Sequence, residues 1–203
     1  MSIGATGGAG LGFEDPVHGA QAAFRRIMSA MAQPGTIAEL TPPLDAPVGL
    51  GPAMTAVALT LCDFETPLWL DESLCASGPV VEYFRLHTGA RMGAATGEAA
   101  FALVSSWRHL PDLASFAQGT LEFPDASTTV VLEVEQLEPS AGWHLTGPGI
   151  ATRSRLLAEP SPPSFEAAMH ANRQLYPRGV DLILCCGNRL AALPRSTRIE
   201  RGS

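Results

Sequence analysis

The chain has 203 residues, enough for one domain with a sizeable core, and its 20 acidic against 13 basic side chains leave a net charge of −7. That balance excludes the cationic groove a nucleic-acid binder needs, and no apolar run approaches the roughly 20 residues that span a bilayer. All 13 cations are arginines, which removes a Schiff-base lysine and a phosphate-loop lysine from consideration and leaves arginine as the principal anion ligand.

Residues 1–12 read as a flexible Gly-rich arm and residues 13–203 as a single α/β domain. The arm lacks the basic start and apolar block of a signal peptide, so a cytoplasmic protein is expected. Gly7-Gly8-Ala9-Gly10 imitates part of a dinucleotide loop, but no strand precedes it. Asp15-Pro16 has the chemistry of an N-cap and first helical residue. The helix it opens sets Val17, Ala20, Phe24, Ile27, Met28 and Met31 at core spacing, with Arg25-Arg26 at its edge and outside, and Gln33-Pro34-Gly35 ends it. A short strand is expected over Thr36–Leu40 and a loop over Thr41–Pro52. Pro52 then opens a second helix with Met54, Val57, Ala58 and Leu61 inward. Thr66–Leu70 reads as a strand, Ser77-Gly78-Pro79 as the start of a helix to His87, and Thr88-Gly89 as its stop.

Ala99–Val104 is strand-like, and Leu113 with Phe116 suggests a short helix after Pro111. Thr128–Val134 is rich in β-branched residues, with Val130, Leu132 and Val134 on one face and Thr129, Val131 and Glu133 on the other. Trp143–Thr146 is expected to pair with it across Pro139-Ser140-Ala141-Gly142, and Gly147-Pro148-Gly149 forces a turn. Pro160–Ser164 leads into a last helix to Leu175. The organising stretch follows. Val180–Cys186 is almost wholly apolar, so both its faces must be covered, and Gly187-Asn188 has the composition of a two-residue type II′ turn into Arg189–Leu193. A short buried helix is the competing reading; the Gly-Asn turn and the flanking Gly179 and Pro194 decide for a hairpin. Strands and helices alternate and the hairpin adds an antiparallel strand, so the expected fold is α/β, a mixed sheet covered by helices.

Several groups are candidates for chemistry. Cys62, Cys75, Cys185 and Cys186 have no metal-ligand spacing and read as core thiols, so no metal is expected. Ser105-Ser106-Trp107-Arg108-His109 sets serine near histidine without a nucleophile elbow, and solvated hydroxyls are the simpler reading. Asp63 and Glu65 follow a helix and suit a turn better than an acid/base pair. Arg85 and Thr88 share a helix face with His87 at its end, and Pro194-Arg195-Ser196-Thr197-Arg198 closes the hairpin with a second arginine–hydroxyl patch. Arg85, His87, Thr88, Arg195 and Thr197 are therefore the candidate ligands for an anion such as a phosphonyl group, with Arg85 and Arg195 expected in one concave site, within one chain or shared between two copies. The competing readings are Arg85 paired to an acid, His87 capping carbonyls, and a solvated tail around Arg195.

One ordered set of segments remains. It runs through Ala22-Phe24-Arg25-Arg26 and Met31–Gly35, Leu59-Thr60-Leu61 to Thr66–Leu70, Arg85–Thr88, Leu145–Ile150, Gly179–Leu184 and Pro194–Thr197. In this order and spacing the chain resembles the H subunits (PhnH) of the bacterial carbon–phosphorus lyase system from residue 14 to residue 200. The resemblance implies a cytosolic subunit with a fold like that of PLP-dependent transferases but without their cofactor. It implies a homodimer that joins the G, I and J subunits in a core complex for phosphonate breakdown. The radical cleavage of the C–P bond is then work done on the J subunit with an iron–sulfur cluster and S-adenosylmethionine, and this chain has no cysteine cluster to hold one. An accessory, non-catalytic role without a cofactor is expected, and the resemblance carries over no catalytic residue. The alternative is a free-standing small-molecule enzyme or anion-binding protein acting on phosphonates or nucleotide phosphates through Arg85, His87 and Arg195.

Overall fold

The computed structural model describes residues 12–41 and 44–201. The arm assigned to residues 1–12 lies outside them except for Gly12, which bridges to Asp45. The hairpin is present as β8 (Asp181–Cys186) and β9 (Arg189–Leu193), with Cys186 opposite Arg189 and Gly187 at φ 59°, as a type II′ turn requires. Four strands run parallel to β8: β5 (Thr129–Glu133), β4 (Phe101–Val104), β2 (Pro67–Leu70) and the two-residue β3 (Arg91–Met92). With β1 (Ala38–Glu39) on β9 they form a seven-stranded mixed sheet in the order β1-β9-β8-β5-β4-β2-β3.

Alternation sends the two halves of the central strands into separate cores. Val131, Ile183 and Cys185 meet α1 (Pro16–Ala32), α2 (Pro52–Leu61) and α4 (Gly78–His87) on one face. The short α3 (Glu72–Ala76), which local pattern did not announce, leads into α4. Asp15 caps α1 by accepting from the Val17 and His18 amides. Helix α2 is buried nearly all round, Thr55 included, because it lies between α1 and the sheet. The Thr55 hydroxyl satisfies itself on the Gly51 carbonyl.

The other face corrects the expectation of helices alone. Val130, Leu132, Leu182 and Leu184 pack on a second, three-stranded sheet and on α5 (Phe165–Gln174). That sheet is β10 (Arg198–Glu200), β6 (Gln136–Thr146) and β7 (Ser154–Glu159), all antiparallel. Trp143–Thr146 therefore does not pair with β5. Both edges of β5 are already bonded, to β4 and β8, so no amide row is left for it. Pro139–Gly142 is a bulge inside β6, where Leu156 of β7 faces both Pro139 and Trp143. Trp107, Trp143 and Phe165 lock this layer, with ring centroids 4.6 to 6.3 Å apart.

Helix α1 brings a further correction. Its buried face is Ala23, Ile27 and Ala30, while Val17, Phe24 and Met28 point outward. Ala23 and Ala30 enter the core beside Ile27, while Val17, Phe24 and Met28 are left on the solvent side. Cys62 and Cys185 are core thiols as expected, but Cys75 is exposed. No described helix is long and apolar enough to cross a membrane.

Candidate functional site

Of the proposed anion ligands, Arg85, Thr88 and Arg195 have separate partners among the described residues. Arg85 lies on the outer side of α4, where its guanidinium grips Glu82 at 2.8 to 3.2 Å. The Thr88 hydroxyl donates to the Phe84 carbonyl and accepts from the Ala90 amide, so it caps the helix. His87 caps no carbonyl among the described residues and stacks on Tyr83, with centroids 4.4 Å apart. Arg195 sits where β9 ends, beside the start of β8. Its fork holds both oxygens of Asp181, the carbonyls of Pro124 and Pro177, and the Ser127 hydroxyl. Thr197 is buried, and its hydroxyl has no partner among the described residues. A shallow depression of about 370 Å³ is lined by Met31, Pro124, Tyr176, Pro177, Pro194 and Arg195, but not by Arg85, His87 or Thr88. Asp63 forms the expected turn, accepting from the Glu65 amide and the Thr66 hydroxyl.

The carboxyl ends of the parallel strands, where α/β proteins usually place chemistry, hold two groups that local pattern did not connect. Asp71, after β2, is 1% exposed, and it accepts from the Leu74 amide, the Ser105 amide and the Ser105 hydroxyl. Nδ1 of His109 lies 2.9 Å from Ser105 Oγ, 3.3 Å from Ser106 Oγ and 3.6 Å from Asp71 Oδ2. A Ser-His-Asp triad needs hydroxyl and carboxylate on different ring nitrogens. Here they converge on one, so the cluster ties β2 to β4 and does not activate a nucleophile.

Glu133, at the end of β5, is the second group. Its Oε1 accepts from the Gly51 amide at the start of α2, and a Cβ on Gly51 would fall 2.2 Å from that oxygen. Burial pushes the Glu133 carboxyl up to about 7, against the smaller opposing pull of the Gly51 amide. A carboxyl raised from 4.5 on folding stabilises the protein below that value, and the advantage disappears as pH climbs to 7. Glu133→Gln keeps the acceptor without the charge. It should therefore leave stability unchanged near pH 4 and raise it by about 2–3 kcal/mol above pH 7. Urea melts across that range check this; a variant with the same pH slope as the parent refutes it.

Three of the segments that carry the family resemblance converge in space. Gly149 lies so close to the first segment that a Cβ would fall 2.0 Å from the Ala32 carbonyl oxygen, and one on Gly147 would fall 3.0 Å from that of Ser196. These two glycines, at φ 81° and 139°, join the end of α1 to the turn after β9.

Fold and site together define a class: a mixed α/β protein whose recognisable segments build packing and turns, not a nucleophile or a metal cluster among the described residues. The chain belongs to the PhnH family of bacterial phosphonate metabolism proteins, whose sequence model matches residues 11–200. It is 41% identical over 189 residues to the α-D-ribose 1-methylphosphonate 5-triphosphate synthase subunit PhnH of Rhizobium meliloti (strain 1021), covering 93% of this chain and 94% of that protein. It is 31% identical over 182 residues to HtxG of Stutzerimonas stutzeri, named as a candidate C-P lyase subunit protein, covering 89% and 85% of the two chains.

Proposed function

We propose that this chain is an accessory subunit of a carbon–phosphorus lyase complex, needed for phosphonate breakdown without supplying the reacting groups. The observation that carries the reading is the 41% identity, over nearly the full length of both chains, to a protein named as a synthase subunit. In this reading it works in the cytoplasm as one domain, joins G, I and J subunits, and serves the step named for that relative, synthesis of α-D-ribose 1-methylphosphonate 5-triphosphate. A likeness to PLP-dependent transferases without their cofactor is part of the proposal. It is supported by the seven-stranded sheet with β9 alone reversed and by a chain that has no lysine for a Schiff base. The internal pairing of Arg85 and Arg195 supports an accessory role over an anion-binding one.

A strain lacking the encoding gene should lose growth on methylphosphonate as sole phosphorus source, and keep growth on inorganic phosphate. The tagged chain should restore growth and co-purify with the other subunits. Recovery of the chain alone, or turnover of a phosphonate by the isolated chain, overturns the reading.

A further inference from the structure

Strand β7 closes the small sheet, with β6 on one side and no strand on the other among the described residues. The other outermost strands are shorter: β1 and β3 have two residues and β10 has three. Among the described residues, no backbone amide or carbonyl of residues 154–158 is bonded outside the ladder with β6. An edge of six residues with a free row of donors and acceptors is a template for another strand.

The side chains along that edge select the strand. Leu156 and Ala158 enter the core, so Arg155, Leu157 and Glu159 share the outer face. Arg155 is exposed and has no ion-pair partner among the described residues. Glu159 accepts only from its own Ser161 amide, through Oε2, and Leu157 between them is half-buried. Read along the strand the order is cation, leucine, anion. A second copy laid antiparallel presents anion, leucine, cation. With a two-fold axis at Leu157, Arg155 stands opposite the partner's Glu159, Glu159 opposite the partner's Arg155, and the two leucines meet between them. Opposed residues in an antiparallel pair share a face, so the axis must pass at a residue. Placed at Leu156 it sets Arg155 against a leucine, at Ala158 it sets Leu157 against a carboxylate, and at Arg155 it opposes two arginines. The axis at Leu157 alone matches all three outer residues.

We propose that β7 is a self-complementary seam for a second copy of this chain, paired antiparallel about Leu157 and fixed by two Arg155–Glu159 contacts across the axis. Two three-stranded sheets then become one continuous sheet. The isolated chain is sized by sedimentation over a concentration series at low salt. The parent should form a dimer. Arg155→Glu and Glu159→Arg each create two like-charge oppositions and should weaken it at least about tenfold. The double variant, with both charges exchanged, restores both attractions and should return to within about threefold of the parent. Both positions lie on the outer face, and equal melting temperatures confirm that the variants fold.

A cross-link tests the register directly. In a Cys75→Ser background, which removes the exposed thiol, Leu157→Cys places two cysteines opposite one another within disulfide reach. Copper-catalysed air oxidation should join them into a covalent dimer, whereas Leu86→Cys, at a position 68% exposed on α4, should stay monomeric on a denaturing gel. A parent chain that remains monomeric at every concentration overturns the proposal. A dimer that ignores both single reversals also overturns it, because another face then holds the copies. If the chain alone is monomeric and Arg155→Glu instead releases a co-purified subunit, a strand from that subunit takes the edge and the second copy is refuted.

Discussion

Arg195→Ala is expected to destabilise the protein by about 3–5 kcal/mol, the range for removing one partner of a buried ion pair. Arg195 and Asp181 are each only 14% exposed, so the Asp181 carboxylate would be left in a poorly solvated place with no counter-charge. The loss is wider than one pair. The same guanidinium closes the Pro124 carbonyl and Ser127 hydroxyl before β5, and the Pro177 carbonyl between α5 and β8. Removing it leaves acceptors on two loops without their donor, each costing desolvation that its hydrogen bond had offset. Lysine keeps the charge but places one compact ammonium where a planar fork reached several acceptors, so Arg195→Lys should recover only part of the loss. Asp181→Asn in the Arg195→Ala background should cost less than in the parent, since the stranded charge is already there to be removed. Thermal melting should show a fall of about 10 °C for Arg195→Ala, given roughly 2–4 °C per kcal/mol in a chain of this size. A fall of only a degree or two would mean that the cluster is open to water and contributes little.

The second large effect is expected at Leu184. It is fully buried in β8, one of the inner strands, facing the layer made by the small sheet and α5. Leu184→Ala removes three heavy atoms of side chain and leaves a cavity, because the backbone is held by β5 on one side and β9 on the other and cannot collapse into it. The expected cost is about 2–5 kcal/mol, a large part of a typical 5–15 kcal/mol stability. Leu184→Met, which nearly conserves volume, should cost less than about 1.5 kcal/mol. Urea titration of the three proteins separates the cases. Equal midpoints for parent and alanine variant would show that the strand is not packed on this face.

Much of the fold was legible because its causes are local. Apolar residues at every position from Leu182 to Cys186 demand cover on both faces, and Gly187-Asn188 turns the chain in two residues. The faces of β5 follow from alternation alone, and Asp15-Pro16 and Thr88-Gly89 mark helix ends through hydrogen bonds within a few residues. The ordered motifs likewise identified the family from residues alone, as the match over residues 11–200 bears out.

Other features depended on which surfaces and bonding edges remained once the chain was packed. Strand β6 found β7 and β10 because β5 was saturated between β4 and β8, a fact no window of sequence contains. Apolar spacing pointed to one inward face of α1 that included Val17, Phe24 and Met28. Packing put Ala23, Ile27 and Ala30 inward and left Phe24 and Met28 exposed. Arg85 could be expected to pair with an acid, and it does so with Glu82 one helical turn away. Arg195 could not, because its partners come from three other segments brought together only by the sheet. The same holds for Asp71 and Ser105, which lie 34 positions apart and meet because β2 and β4 are neighbours. Local chemistry, acting over a few bonds, thus determined the elements and their caps. Competition for the remaining backbone edges and buried volume decided which polar side chains meet.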